Sequence, residues 1–335
     1  MKVDTSFVVL NWHNEVETSE CIESIKSLAG NFKKQIIVVD NETTQDSYNK
    51  LKKIQNIEIV RNKQNLGFAG GVNSSLDSIK GSYIALINND MVLHSQWLSS
   101  AITIFKRHAN VCAVGGKEFA WDSKNPVYNE KNDFVSAPII DPNWGFPQST
   151  SRELAETKVS CLMGGNVLLD ARKLKKVGGF DEDFFAYCEE TDLFIRLLAQ
   201  GWSIFYSPNM KVWHKRNLSS NRLPFLKVYL SQRNKLIFIA KHFESKTWVK
   251  LVNFAILDNL LTSISGRPGG GKKILKILKP LLSMKERRAY LFAAIWGITH
   301  KKYLKKKRDE NIKSGQYLDN LPTILRKLQE PTAGV

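Results

Sequence analysis

Residues 83–90 read Tyr-Ile-Ala-Leu-Ile-Asn-Asn-Asp, an apolar run that stops abruptly on three short polar side chains. A run this short, with no alternation between polar and apolar, fits a strand covered on both faces, as in parallel sheets whose connections carry helices to each side. Ile36-Ile37-Val38-Val39 repeats the pattern and stops on Asp40-Asn41. Phe7-Val8-Val9-Leu10 stops on Asn11, and Ile57-Glu58-Ile59-Val60 is followed closely by Asn62. Helix-like segments lie between these runs, at 18–28, 43–54 and 70–79. In the first of them Cys21, Ile22, Ile25 and Leu28 recur at helical spacing. This alternation predicts an α/β fold, a parallel sheet with right-handed crossovers.

In open sheets of this kind ligands bind outside the carboxyl ends of the strands. The polar residues that follow each apolar run are therefore the first candidates for a site. Asn and Asp also favour turns and helix N-caps, which accounts for any one of these positions more easily than for four in succession. Asp40 is suited to accept a hydrogen bond from a pyrimidine ring N–H. Asp90 is suited to hold Mg2+ or Mn2+, hard ions that bridge a protein carboxylate to substrate phosphates and stabilise a departing diphosphate. Gly67-Phe68-Ala69-Gly70-Gly71 has neither GxGxxG spacing nor a GK[ST] ending, so it is no dinucleotide or P-loop fingerprint. Glycines there let the backbone approach a ligand closely.

The second block, 111–208, predicts a short strand at 112–115 and a long loop at 121–157, rich in Asn, Asp, Pro and Ser, of the kind that covers a site. A strand with a glycine break follows at 162–169, then a helix from Ala171 that ends at Gly178-Gly179-Phe180. A further helix over 190–199 stops before Gly201, a natural C-terminal cap. Glu189, Glu190 and Asp192 in its first turn suit the helix dipole, and Asp192 with Arg196 suits a local ion pair.

Charge divides the 335-residue chain unevenly. Residues 1–210 carry 22 basic and 25 acidic side chains, whereas 211–335 carry 27 and 7, so the overall charge of +17 resides in the last third. Hydrophobic content of 43% and charged content of 24% exclude wholesale disorder and fibrous repeats. Cys21, Cys112, Cys161 and Cys188 have no CxxC or zinc spacing, which points to a reducing, cytoplasmic setting. The N-terminal apolar run is too short for a signal peptide, and no stretch is apolar enough for a spanning helix.

Helices are expected at 229–242 and 248–264, then a glycine-rich break at 265–271. Beyond it come Ile274, Leu275, Ile277 and Leu278 among lysines at 272–282, and an apolar stretch at 290–298 running into basic clusters at 300–302 and 305–308. Such helices lie in a membrane interface, where anionic lipid adds about 1 kcal/mol per nearby basic residue. A solvated helical bundle and a nucleic-acid patch are the alternatives. Trp248, Phe254, Phe292 and Trp296 among leucines favour lipid, and no RNA-binding or zinc-finger signature favours nucleic acid.

Five segments carry a more specific resemblance: Val9-Leu10-Asn11-Trp12; Val38-Val39-Asp40-Asn41; Asn65 through Asn73 with its glycines; Leu86-Ile87-Asn88-Asn89-Asp90; and Gly179-Phe180-Asp181 through Glu189-Glu190-Thr191-Asp192-Leu193. In this order, over about residues 4–240, the chain resembles the inverting family-2 glycosyltransferases of GT-A fold, in particular the bacterial rhamnosyltransferase-like branch of surface polysaccharide assembly. The resemblance implies a Rossmann-like, mainly parallel sheet flanked by helices as the catalytic domain at 1–240, with 241–335 as a basic helical region at the membrane surface.

It implies Asn11, Asp40, Asn41, Asn65, Gly67, Gly71, Asn88, Asn89 and Arg233 as nucleotide-sugar contacts. Asp90 and His214 are implied as ligands of Mg2+ or Mn2+, with Asn88 standing where the family often has the first Asp of DxD. Glu190 stands where the family has its base Asp, with Glu189 as a second candidate. Gln232-Arg233-Asn234 matches a segment near the acceptor side.

The implied reaction is a single inverting displacement. The donor is a nucleotide-sugar, dTDP-rhamnose being favoured, and the acceptor a polyprenyl-diphosphate-linked glycan at the inner face of the cell membrane. A UDP-sugar-dependent hexosyl or galactofuranosyl transferase is the alternative within the family. A sugar-1-phosphate nucleotidyltransferase is disfavoured because Asn11-Trp12-His13-Asn14-Glu15 stands where that class has a Gly-rich signature. A non-catalytic membrane-surface scaffold is the alternative of another class, and turnover separates it from the enzyme.

Overall fold

A computed structural model describes residues 3–121, 130, 133–142, 147–148, 150–215, 223–244, 247–265 and 282–329. In chain order the elements are β1 (Thr5–Asn11), α1 (Glu15–Lys26), β2 (Lys34–Asn41), α2 (Gln45–Leu51), β3 (Glu58–Asn62), α3 (Gly67–Asn73), β4 (Tyr83–Asn88), β5 (Met91–Leu93), α4 (Trp97–Arg107) and β6 (Val111–Ala120). Then come β7 (Phe134–Val135), β8 (Ile139–Ile140), β9 (Pro147–Gln148), β10 (Thr157–Lys158), β11 (Asn166–Asp170), α5 (Ala171–Lys176), α6 (Glu189–Ala199) and β12 (Ser203–His214). The last five helices are α7 (Pro224–His242), α8 (Trp248–Ser265), α9 (Met284–Thr299), α10 (Lys301–Lys313) and α11 (Leu321–Gln329).

The main sheet runs β3-β2-β1-β4-β11-β6-β12-β10, with β5 paired to β12 and β7 to β6. The β1/β2, β2/β3, β1/β4 and β6/β12 pairs are parallel, as the strand-helix alternation requires. Side chains alternate between two cores. Phe7, Val9, Val38 and Ile87 face α1 and α4, while Val8, Ile37, Val39 and Leu86 belong to the core shared with α6 and α7. Burial on both faces is what makes these strands read as unbroken apolar runs.

Four features depart from the sequence reading. The strand expected at 162–169 is confined to Asn166–Asp170, and it is antiparallel, wedged between β4 and β6. The short strand at 112–115 extends to ten residues because β12 pairs along its whole length, across a register shift where Gly116 leaves no room for a side chain against the Met210 carbonyl. The glycine run at 67–71 is itself helix α3, and the helix expected at 70–79 breaks into a short 3-10 turn at Leu76–Ser78. Of the long loop, the described part contributes β7 to the sheet edge and forms a small β8/β9 ladder.

The C-terminal helices form one packed layer, with α9 against both α7 and α8, and α10 against α7. A capping box at Ser283 and Glu286 starts α9. Residues 266–281, which hold the glycine-rich break and most of the lysine-rich stretch expected at 272–282, lie outside the described residues. The basic run 305–308 is not all on the surface. Arg308 is 3% exposed and bonds the carbonyls of Ala240 and Phe243, and Lys307 turns inward onto Asp181.

Asp192 joins the two parts. It is fully buried on α6 and meets Arg196 Nε at 2.7 Å, Lys241 Nζ at 2.5 Å and His242 Nε2 at 2.8 Å. Burial alone would raise this carboxyl, but Lys241, Arg196 and His242 outweigh it and hold it well below the ordinary carboxylate range. We expect Asp192→Asn to cost about 3–5 kcal/mol in denaturant unfolding, since it leaves cations buried without their counter-charge. With the folded value depressed, the stabilisation is complete above about pH 4 and is lost as pH falls through the folded value, so the deficit of the variant should shrink in acid.

Candidate active site

Parallel register brings the polar strand ends to one edge of the sheet. Asn11 lies opposite Asp40, Leu10 opposite Asn88, and Asn41 opposite Asn62. Asn41 is 1% exposed and ties these ends together. Its amide donates to Asn65 Oδ1 (2.9 Å) and the Gly67 carbonyl (3.1 Å), and its Oδ1 accepts from Asn62 Nδ2 and Leu66 N, each at 3.1 Å. Gly67, at φ +70°, lets the start of α3 sit against the Phe185 carbonyl, where a Cβ would lie 2.3 Å from that oxygen.

Beside this edge opens a cavity of about 690 Å³, a size typical of small-molecule sites. Asn41, Asn65, Gly67, Asn88, Asn89, Asp90, Glu189, Glu190 and His214 all line it. The other candidates are not among its lining residues. Asn11 is fully buried and accepts from Thr18 Oγ1 at 2.8 Å, while Asn89 donates to the same hydroxyl at 3.0 Å. Asp40 is fully buried, paired with Arg61 Nε at 3.1 Å and bonded by the Thr43 hydroxyl. Gly71 packs against Leu10. Arg233 directs its guanidinium to the Asp183 carbonyl at 2.6 Å and to Asn234 Oδ1 at 2.7 Å.

Asp90 sits in the turn between β4 and β5, and His214 ends β12 alongside it. His214 Nε2 lies 3.1 Å from Asp90 Oδ1, and Nδ1 lies 3.2 Å from Glu118 Oε2. Burial alone would lower the imidazole, but hydrogen bonds to Asp90 and Glu118 and the charge of both carboxylates carry it up to about 9. Among the described residues no three His, Cys, Asp or Glu side chains cluster as a metal cage. Mg2+ and similar ions, however, commonly take only one or two protein ligands plus phosphate oxygens. Adjacent ligands at about 2.1 Å in an octahedron stand roughly 3.0 Å apart, so the Asp90–His214 spacing fits such an ion. Glu118 would then orient the ring from behind, as carboxylates behind ligating histidines do.

Glu189 and Glu190 open α6, directly after Cys188 at φ 67°. Each has a buried carboxylate oxygen without a hydrogen-bond partner. Burial raises Glu190 to about 7, partly offset by the backbone N–H groups of Glu190 and Thr191. Glu189 is raised well above the ordinary value by its own burial and by the charge of Glu190. Burial raises both carboxyls, and two like charges this close resist ionising together, so the pair is biased toward holding a proton between them, the bias that a buried general base requires.

Sequence reasoning missed Glu118, an acid within the apolar run of β6 that is 1% exposed. It also missed the wall formed by Leu223, Leu226, Lys227 and Leu230. Their three- and four-residue spacing is the helical signal that would have found them.

Residues 6–178 match the family model for Glycosyl transferase family 2. An N-acetylglucosaminyl-diphospho-decaprenol L-rhamnosyltransferase of Mycobacterium tuberculosis is 24% identical over 277 residues, covering 74% of this chain and 90% of that protein. A chondroitin synthase of Escherichia coli is 23% identical over 228 residues, 59% of this chain and 33% of that protein. In fold, the chain is similar to GalNAc-T7 crystallised with UDP, GalNAc and Mn2+, at a TM-score of 0.55 and 10% identity. That likeness covers 93% of this chain and 58% of the other.

A Cβ at Gly165 would fall 2.2 Å from the Asn88 side chain. Gly165→Ala must therefore displace Asn88 from the cavity wall. Calorimetric titration with UDP and dTDP should show at least a tenfold loss of affinity, about 1.4 kcal/mol, for whichever nucleotide the wild type binds.

Proposed function

The chain belongs to glycosyl transferase family 2, and on that footing we propose that it transfers L-rhamnose from dTDP-rhamnose, with inversion, onto a glycan carried by a polyprenyl diphosphate in bacterial surface polysaccharide assembly. One observation carries the reading: a single cavity holds both a buried carboxyl raised to about 7, Glu190, and, 3.1 Å apart, the Asp90 carboxylate and the His214 imidazole, groups that could hold a divalent ion. The sugar and the lipid-linked acceptor are argued from the mycobacterial relative, whose name states both.

In this mechanism Glu190 takes the proton from an acceptor hydroxyl as its oxygen attacks the anomeric carbon, and the bond from that carbon to the nucleotide diphosphate breaks on the opposite side. Asp90 and His214 would hold a divalent ion, which when bound would supply positive charge at the departing diphosphate. Lys227, in the same wall, adds a cation of the chain's own. Glu189 stands beside Glu190, raised by its own burial and by the charge of Glu190. Asn88 and Asn89 line the cavity beside Asp90 and offer amide contacts to the donor.

The membrane surface enters through α8 and α9. Val249, Leu257, Leu261, Ile264, Phe292, Ile295 and Ile298 are all exposed there, and among the described residues no helix is long and apolar enough to cross a bilayer. Phe292 also meets Phe225 of α7 at 5.8 Å, next to the leucines that line the cavity. An anionic bilayer touching this face would deliver a lipid-linked acceptor to that wall.

Nucleotide release should be assayed over dTDP-, UDP- and GDP-sugars with acceptor, with and without Mg2+ or Mn2+. We expect dTDP-rhamnose turnover that needs metal and Asp90 and falls at least ~100-fold in Glu190→Gln. Glu189→Gln, which keeps the side chain's shape and removes its charge, should lose less than about tenfold. Since the base acts ionised, kcat/KM should rise with pH through an acid limb near 7, set by the burial of Glu190. A UDP-sugar as the sole donor would replace the rhamnosyl assignment, and silence with every donor would favour the scaffold.

Vesicle co-sedimentation tests the surface. The Leu261→Glu/Ile295→Glu pair should lower binding to phosphatidylglycerol vesicles at least fivefold, and unchanged binding would remove α8 and α9 from the membrane contact.

A further inference from the structure

The segment that delivers Glu189 and Glu190 is held in an unfavourable backbone conformation. Phe185, Tyr187 and Cys188 all have left-handed φ values, at 63°, 71° and 67°. Non-glycine residues seldom adopt that region unless their surroundings impose it. None of the three is Asn or Asp, so the conformation has to be imposed from outside the segment.

The imposing contacts come from helices more than 35 residues further along the chain. Asn234 of α7 directs its amide nitrogen at three carbonyls of the segment, those of Phe184 (2.8 Å), Ala186 (2.8 Å) and Tyr187 (2.7 Å). Asn234 is fully buried, and its own oxygen is fixed by Arg233 Nε at 2.9 Å. From α10, Tyr303 donates to Asp183 Oδ2 at 2.7 Å, and Lys307 Nζ lies 2.5 Å from the same oxygen and 2.9 Å from Asp181 Oδ1. On the other side the Phe185 carbonyl accepts from Ala69 N of α3 at 3.1 Å. The segment is thus pinned between the glycine helix at the cavity and the C-terminal layer.

We propose that Asn234, Tyr303 and Lys307 are positioning residues, which together hold residues 181–188 in the one conformation that delivers the carboxylates of Glu189 and Glu190 to the cavity. The inference rests on the glycosyltransferase reading for its catalytic consequence, although not for the clamp itself. It gives α10 a part in the reaction that its lysine-rich composition conceals, since Tyr303 and Lys307 act through the segment and neither lines the active-site cavity.

The test uses the full chain and the Tyr303→Phe/Lys307→Met double variant, with Lys307→Arg as the conservative replacement. Lys305→Met serves as a control, because Lys305 is 68% exposed and pairs along its own helix with Asp309. We expect the double variant to lower kcat at least tenfold with donor KM changed less than twofold, Lys307→Arg to stay within threefold of wild type, and Lys305→Met to match it. Hydrogen–deuterium exchange should quicken at the amides of 184–192 in the double variant while β1, β2 and β4 keep their protection. Asn234→Ala should give a larger loss. Should that variant fail to fold, the α10 variants decide the matter.

Wild-type kcat together with unchanged exchange in the double variant overturns the proposal. If the wild type turns over no donor, the glycosyltransferase reading fails instead. Exchange then still decides the clamp: faster exchange at 184–192 upholds it and unchanged exchange refutes it.

Discussion

Asp192 is a full negative charge with no water to solvate it, and the arrangement around the candidate site follows from how that charge is met. Two cations and a histidine surround it, one from its own helix and two from α7, so α6 cannot shift without pulling the C-terminal layer along. Two and three residues earlier on the same helix, burial dominates at Glu190 and Glu189, and both titrate upward. One short helix therefore carries a carboxylate locked in its charged form and two held toward their neutral forms. The difference lies in the partners and not in the depth of burial. The first anchors the helix, and in the proposed mechanism the other two serve proton transfer.

A second constraint acts across the sheet. Parallel pairing fixes the strand ends in step, so the side chains just past each apolar run meet at one edge whatever their individual preferences. Asn11 and Asn89 are tied together through the Thr18 hydroxyl, and Asn41 ties Asn62 to the loop at Asn65–Gly67, so that the residues at the strand ends stand on a braced rim. Rigid placement of polar groups before ligand arrives is what keeps their reorganisation from opposing the reaction.

What was legible in the sequence and what was not divides along the range of the contacts. The β1, β2 and β4 strands were readable because burial on both faces writes an unbroken apolar run, and their polar ends were readable because the runs stop sharply. The antiparallel β11 was not, since nothing in Asn-Val-Leu-Leu-Asp tells which neighbours it will have. The helix at 67–73 was not legible in the glycines of 67–71, because their use, contact with Phe185 and Leu10, lies far away in the chain. Asp192 and Arg196 could be paired from their spacing, but Lys241 and His242 could not. Glu118 reads as one acid on a strand until His214 is brought against it.

The C-terminal third makes the same point about averages. Its net positive charge suggests a uniform cationic surface, yet the side chains that compose it do different work. Lys305 stays in solvent, while Lys307 and Arg308, two and three residues on, turn into the protein and bond the acids and carbonyls beneath. The outward apolar side chains of α8 and α9 are spread among polar neighbours, so composition alone registers them weakly. α7 connects the two uses. One part of it lines the cavity with leucines, and its last turn grips Asp192. A helix tied in this way to the carboxylate-bearing α6, and to α9 through Phe225 and Phe292, mechanically links the exposed face to the cavity. The polypeptide beyond residue 240 therefore belongs to the site's architecture as much as the sheet does.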